Sequence, residues 1–269
     1  MKAIVVVDNI GLNGISGEWG LCIYIEYNGK KILLDTGASN LFVSNAKALN
    51  IKLNEIDYAV LSHAHYDHAN GMETFFNENN HAKFYIQDTT AENCYFKYGL
   101  IRKYIGIPKG ILESYPERFA VVSGKMQIEE GIYLIPHSTS NLEMIGKREK
   151  MYRKDGKWFP DNFSHEQSLV FETEKGLVIF NCCSHGGVVN IINEVGEAFP
   201  DQNVYAFIGG FHIYNKSKAE IKSLAQKIRE TGISYVCTGH CSGKKGYEIL
   251  HEELGDMVHQ LKVGFVQEF

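Results

Sequence analysis

A short apolar run, Tyr58-Ala59-Val60-Leu61, passes directly into Ser62-His63-Ala64-His65-Tyr66-Asp67-His68-Ala69-Asn70-Gly71. Four groups able to ligate a metal, His63, His65, Asp67 and His68, therefore lie within six positions at the end of a strand-like segment. Any fold that accommodates this stretch must open a strand end onto a mouth where further ligands can gather. Imidazole nitrogen and carboxylate oxygen are the donors that zinc, iron or manganese accepts in a hydrolytic site. The i, i+2 spacing aims His63 and His65 the same way as the strand runs into a loop. Asp67 and His68 then lie on the loop's far side, suited to a second ion. The competing reading is a polar turn rich in histidine. Of eleven histidines in 269 residues, three fall in this window beside an aspartate, which composition alone would rarely arrange.

Other apolar runs end in the same way. Asp35 closes Lys31-Ile32-Leu33-Leu34 and precedes Thr36-Gly37. Cys183 follows Gly176-Leu177-Val178-Ile179-Phe180-Asn181, with His185 two residues beyond, and His240 follows Ser234-Tyr235-Val236-Cys237-Thr238-Gly239. The H-x-H-x-D-H pattern with these companions resembles the metallo-β-lactamase-fold superfamily of metal-dependent hydrolases. Asp8-Asn9, Glu18-Trp19-Gly20-Leu21, Cys182-Cys183-Ser184-His185-Gly186-Gly187, Gly209-Gly210-Phe211-His212 and Gly239-His240-Cys241-Ser242-Gly243 narrow the resemblance. Together they are similar to a subgroup of dihydropterin ribofuranosyl-aminobenzene phosphate synthase-like proteins, and the likeness covers most of the chain.

The resemblance implies an αββα sandwich, an α/β (α+β) architecture of two mixed sheets flanked by helices. It also implies a divalent metal, zinc first, as one or two ions, with iron or manganese as alternatives. His63 and His65, with His185 as partner, would hold one ion. Asp67, His68 and His240 would hold the other, with Cys183 near both and Asp35 supporting the loop from behind. The superfamily's mid-chain histidine ligand has no clear counterpart. His137, after Tyr133-Leu134-Ile135-Pro136, is the alternative to His185 for that place. His212 is read as a ligand or as an acid/base that meets the substrate, and Asp67 as a proton acceptor if a single ion binds.

A content of 44% hydrophobic and 22% charged residues describes an ordinary globular chain able to bury a sizeable core. A net charge of −5, from 27 basic and 32 acidic residues, argues against a nucleic-acid partner and leaves a small molecule as the expected substrate. The apolar run at Ala3–Val7 is too short for a signal-peptide core or a membrane span, so a cytoplasmic protein is expected. The cysteines at 22, 94, 182, 183, 237 and 241 contain no Cys-x-x-Cys and read as free thiols, with Cys22 and Cys94 as core packing.

Strand signals dominate the first third, at Ala3–Val7, Leu21–Glu26 and Lys31–Asp35, with Asn28-Gly29 as the hairpin turn. Leu41, Phe42, Ala46 and Leu49 recur at helical spacing, with Ser39 or Asn40 as cap. Further strands are predicted at Lys83–Ile86, Ser168–Glu172, Gly176–Asn181, Val204–Ile208 and Tyr235–Thr238, and helices through Val188–Val195 and Lys218–Glu230. No linker divides the chain, so residues 1–269 read as one domain, with a lid or specificity insertion at about 88–165. There, Tyr95-Phe96-Lys97-Tyr98, Arg102-Lys103-Tyr104 and Lys147–Lys154 interleave aromatic and basic residues. That pattern is either a solvated lid face or a pocket that stacks a flat ring and pairs a phosphate. Trp158-Phe159-Pro160 is a candidate cover for the mouth. The leading expectation is a hydrolase that activates water on a small phosphorylated or ring-containing substrate. The alternatives are a transferase joining a dihydropterin to a ribofuranosyl-aminobenzene phosphate, and a metal-bound ligand sensor without turnover.

Overall fold

In a computed structural model, which describes residues 1–12 and 14–269, the apolar runs build two large sheets packed face to face. The first has the strand order Val266–Glu268, Lys2–Val7, Cys22–Tyr27, Lys30–Leu34, Tyr58–Val60, Lys83–Gln87, Phe119–Val122. The second runs Val258–Gln260, Tyr235–Thr238, Val204–Gly209, Gly176–Phe180, Gln167–Thr173, Ile132–Pro136, Met126–Glu129. Both are mixed. Antiparallel hairpins occupy one side of each, and parallel strands joined by helical crossovers the other.

Strand alternation sorts the side chains into three layers. Val5, Ile23, Ile25, Ile32 and Leu34 meet Leu134, Leu169, Phe171, Val178 and Phe180 between the sheets. On the other face of the first sheet, Ile4, Val6, Tyr24 and Leu33 pack with Phe42 and Ala46 of helix Leu41–Ala48 and with Met72, Phe75 and Phe76 of helix Met72–Glu78. Helices Val188–Ala198, Lys218–Glu230 and Gly243–Leu254 cover the second sheet with Ile191, Val195, Ile221, Ile228 and Leu250. The architecture is thus the expected αββα sandwich. Each fully buried Phe or Leu contributes about 1.5–3 kcal/mol relative to exposure. No described helix is long and apolar enough to cross a membrane.

Local signals behave as their chemistry requires. Asn28 and Gly29 both take positive φ, +48° and +77°, the geometry of a two-residue hairpin loop between Tyr27 and its partner Lys30. Ser217 and Glu220 form a reciprocal capping box at the start of Lys218–Glu230. At Leu41–Ala48 the capping residue is Asn40, but the side-chain bond comes from Ser39, whose Oγ accepts from Leu41 N at 3.1 Å.

The segment 88–165 divides between structures. Phe119–Val122, Met126–Glu129 and Ile132–Pro136 supply edge and near-edge strands of the two large sheets. Cys94–Tyr98, Ile101–Tyr104, Met151–Asp155 and Lys157–Pro160 form a separate four-stranded antiparallel sheet. This small sheet is tied to the histidine loop by an isolated bridge between His65 and Gly106 and by Tyr66 N donating to Ile105 O at 2.9 Å.

Candidate metal centre

Parallel strands of both large sheets deliver the candidate ligands at their carboxyl ends, where ligand sites of α/β sheets gather. Lys30–Leu34 runs into Asp35, Tyr58–Val60 into the histidine loop, Gly176–Phe180 into Cys183 and His185, Val204–Gly209 into His212, and Tyr235–Thr238 into His240. Asp35, Ser184, His212 and His240 all take positive φ, between +45° and +60°. Non-glycine residues adopt that conformation at a cost, and its concentration at these strand ends marks them as positions held for function.

Asp35 organises the loop from a fully buried position. Its Oδ1 accepts from Ser62 N at 2.7 Å, and its Oδ2 accepts from Ser62 Oγ at 2.6 Å and from His68 Nδ1 at 2.7 Å. Because the Ser62 hydroxyl spends its proton on Asp35, it must accept from His63 Nδ1, 2.8 Å away. His240 Nδ1 likewise faces the amide oxygen of Asn9 at 3.2 Å, and its backbone N–H is fixed by Asp8 Oδ1 at 2.9 Å. In His63, His68 and His240 Nδ1 therefore carries a proton and Nε2 points inward. That is how outer partners orient metal-binding imidazoles.

The inward atoms converge. His68 Nε2 lies 3.2 Å from His240 Nε2 and 3.3 Å from Cys183 Sγ, while Asp67 Oδ2 is 3.5 Å from His240 Nε2 and 3.8 Å from His68 Nε2. Two bare imidazole lone pairs at that separation repel unless a proton or a cation lies between them. Burial opposes a proton on His240, but the Cys241 thiolate and the Asp67 carboxylate outweigh it and raise the ring to about 9. Asp67 is itself buried, yet His68 and His240 hold its carboxyl well below the usual range.

His63, His65 and His185 form a second convergence, with ring centroids 4.6–5.0 Å apart. His63 Nε2, His65 Nε2 and both ring nitrogens of His185 are buried without a hydrogen-bond partner. Unpaired buried polar atoms of this kind are costly and need an explanation. Burial and mutual repulsion push His63 and His185 well below their ordinary value and His65 to about 3. All three are therefore neutral near pH 7, the form a metal requires. Cys183 Sγ lies within 4.8 Å of ligand atoms in both groups. Burial, with Cys241 beside it, raises its thiol, so a bound cation would be what makes it a thiolate. The donors fit a divalent metal in number and type, and His240, raised to about 9, must give up its Nε2 proton as an ion binds.

His63, His65, Asp67, His68, Cys183, His185 and His240 are thus brought to one mouth. His212 borders it: its ring packs 4.5 Å from that of His185, and its buried Nδ1 is unpartnered. His137 has a different environment, with Nε2 on Glu166 and Nδ1 on Glu194 at 3.0 Å, which leaves no ring nitrogen for a metal. Glu166 and His165 escaped the sequence reading, and Cys241 entered it only as a free thiol in the His240 motif. Glu166 accepts from the backbone of His185 and Gly186, and Cys241 Sγ accepts from His212 N at 3.2 Å. His165 gathers Cys94 and Asp161 beside His65. Its Nδ1 accepts from Ala64 N at 3.1 Å, so its proton is on Nε2, which faces Asp161 at 3.2 Å and Cys94 at 3.6 Å. His165 in this tautomer braces the loop and offers no lone pair. Its place immediately before strand Gln167–Thr173, at the same mouth, was the available signal.

Above the centre lies a cavity of about 330 Å³, of the size that takes a small ligand. Its walls include Trp19, Tyr66, Phe96 and Tyr214, and Lys103 is the only Lys or Arg among its lining residues. Lys103 pairs in register with Phe96 across the small sheet. The neighbouring aromatic and basic residues serve the sheet's other contacts: Arg102 lies 4.3 Å over the Trp158 ring, which packs on Tyr95, and Lys97 lies over Tyr152. Trp158 is therefore part of that laminated surface, and Trp19 and Tyr214 flank the mouth in its stead.

A sequence profile of the Metallo-beta-lactamase superfamily matches residues 20–196. The chain is 29% identical over 262 residues to the 7,8-dihydropterin-6-methyl-4-(beta-D-ribofuranosyl)-aminobenzene-5'-phosphate synthase of Methanocaldococcus jannaschii, covering 92% of this chain and 88% of that protein. Among solved structures, a metal-dependent hydrolase of the beta-lactamase superfamily matches with a TM-score of 0.84 at 25% identity, covering 100% of this chain and 99% of that one. The metallo-beta-lactamase fold protein YhfI from Bacillus subtilis shares the fold at a TM-score of 0.61 and 12% identity, over 99% of each chain.

Proposed function

The chain belongs to the metallo-beta-lactamase superfamily, and from that premise we propose that it is a metal-dependent hydrolase acting on a small phosphorylated or ring-containing molecule. The observation that carries this reading is the set of buried, unpartnered imidazole nitrogens converging beside Asp67 and Cys183. His63, His65 and His185 would hold one divalent ion, and Asp67, His68 and His240 the other, with Cys183 between them and zinc the first choice of metal. Bound there, the ions would bring the pKa of a shared water toward neutrality and polarise the scissile group.

The chain's own residues supply position and proton traffic. Asp35, Ser62 and Asn9 fix the ring orientations with Nδ1 protonated, so loading the site needs no ring rotation and, at His240, only release of the Nε2 proton. Asp67, at the floor of the cavity, accepts a proton if only one ion is present. His212, which lines the cavity, hydrogen-bonds the substrate or its leaving group. Trp19, Tyr66, Phe96 and Tyr214 offer flat apolar faces for a ring, and Lys103 pairs an anionic group. In this reading the chain is one domain, and the small sheet within 88–165 sets specificity.

The test is turnover of aryl phosphate monoesters, aryl phosphate diesters and lactones by protein stripped with chelator and then reloaded with zinc. Activity should vanish on stripping, return on reloading and be absent in His63→Ala. Turnover indifferent to stripping would overturn the proposal.

A second reading, a transferase joining a dihydropterin to a ribofuranosyl-aminobenzene phosphate, is favoured by the name of the Methanocaldococcus jannaschii relative. It uses the same aromatic walls and Lys103, and it is tested by supplying both substrates and searching for the joined product. A joined product, with no hydrolysis across the panel, would replace the first reading.

A further inference from the structure

The motif Cys182-Cys183-Ser184-His185-Gly186-Gly187 turns sharply after its strand, and nothing in the ligand set itself explains how His185 is held. Its ring makes no hydrogen bond. The hold comes from behind. Fully buried Glu166 accepts from His185 N at 3.0 Å through Oε1 and from Gly186 N at 3.1 Å through Oε2. The same Oε2 is bonded to His137 Nε2. His137 Nδ1 in turn bonds Glu194 Oε2 at 3.0 Å, and Glu194 Oε1 accepts from Ser138 N, Thr139 N and Thr139 Oγ1 at 2.6–3.1 Å. An imidazole between two carboxylates, on three separate segments of chain, thus ends on the peptide that carries His185.

Two further contacts complete the brace. A Cβ at Gly186 would lie 2.2 Å from His137 Cε1, so the absence of a side chain there is what lets the His137 ring close against the turn. On the other side, Phe163 stacks on the His185 ring at 4.8 Å with an interplanar angle of 4°. The ring is fixed by stacking, its backbone by Glu166, and Glu166 by His137.

We propose that Glu166 is a positioning residue that sets His185 for the ion held with His63 and His65, and that His137 and Glu194 act as its buried counter-charge and anchor. This inference rests on the metal-centre reading above. It assigns the mid-chain histidine a bracing part, and it makes the two candidate ions unequal: only one depends on Glu166. Outer-shell residues of this kind commonly change metal affinity by about 10- to 100-fold.

The test is zinc affinity by competition with a chromophoric chelator, measured for both ions in wild type, Glu166→Gln, Glu194→Gln, Gly186→Ala and His185→Ala, with the melting temperature of each metal-free protein beside it. Glu166→Gln should weaken one ion by about 10- to 100-fold, the same ion that His185→Ala removes, and leave the other unchanged. Glu194→Gln, one link further away, should weaken it less. Gly186→Ala should match Glu166→Gln, and the two together should cost no more than either alone, because both release the same brace. If Glu166→Gln does not fold, Glu194→Gln and Gly186→Ala carry the same comparison. Unchanged affinity for both ions, or an equal loss of both in step with a fall in metal-free melting temperature, would overturn the proposal. A wild type that binds one ion supports it if Glu166→Gln weakens that ion and opposes it if not. A wild type that binds none would remove the metal-centre reading, and this inference with it.

Discussion

Asp35→Asn should cripple the metal centre although Asp35 ligates nothing. Its two oxygens accept three hydrogen bonds: Oδ1 from Ser62 N, and Oδ2 from Ser62 Oγ and His68 Nδ1, all at 2.6–2.7 Å. An asparagine has one acceptor oxygen. With that oxygen in the Oδ2 place, its NH2 group faces the Ser62 N–H. Turned over, the NH2 group faces the Ser62 hydroxyl and His68 Nδ1, and His68 can then pair only by moving its proton to Nε2. A proton on Nε2 is incompatible with ligation there. Either orientation forfeits at least one charge-assisted bond, about 1.5–3 kcal/mol, which corresponds to about a 10- to 100-fold loss in affinity at roughly 1.4 kcal/mol per factor of ten. The ion held by Asp67, His68 and His240 should be affected first, and the one at His63 next, through Ser62. Equilibrium dialysis against buffered zinc with elemental analysis reads both. Wild-type affinity for both ions in Asp35→Asn, with the fold intact, would refute the tautomer argument.

Lys103→Ala should raise KM for a phosphate-bearing substrate by about two- to fivefold while leaving KM for a neutral lactone unchanged, since the side chain is solvent-exposed and its pairing correspondingly modest. For His137, burial alone would depress the ring, but Glu166 and Glu194 outweigh it and raise it to about 9. A raised group stabilises fully below its unfolded value, near 6.5, and that stabilisation is lost as pH rises through about 9. The melting temperature of metal-free protein should therefore fall between pH 7 and 9.5, and His137→Gln should reduce that slope, leaving the part that belongs to His240, also raised to about 9. Phe75→Ala, deep in the layer between the first sheet and its helices, should cost about 3–5 kcal/mol in denaturant unfolding without altering metal stoichiometry in the folded fraction.

The layers of the sandwich were legible because their strands carry their own signal. Ile23, Ile25 and Ile32 face one apolar layer and Tyr24 and Leu33 the other, so these strands read as short continuous apolar runs bounded by turn residues. The ligands were legible because each follows the point where such a run stops. The small sheet was not, since Cys94–Tyr98 and Lys157–Pro160 are partly exposed, mix aromatic with basic residues and match neither period. His165 precedes its strand, so the same rule passed over it. His185 ranked above His137 from sequence because it lies two residues beyond Cys183, but residue type and position do not show what either ring does. The ring partners separate them: two carboxylates on the His137 ring, none on the His185 ring.

The central claim is that seven side chains from three strand ends form one divalent-metal centre, and elemental analysis of protein purified without chelator addresses it directly. About two zinc ions or equivalent divalent ions per wild-type chain, falling sharply in the His63→Ala/His68→Ala double variant, is the predicted result. No metal in the wild type, or the same content in the double variant, would contradict it.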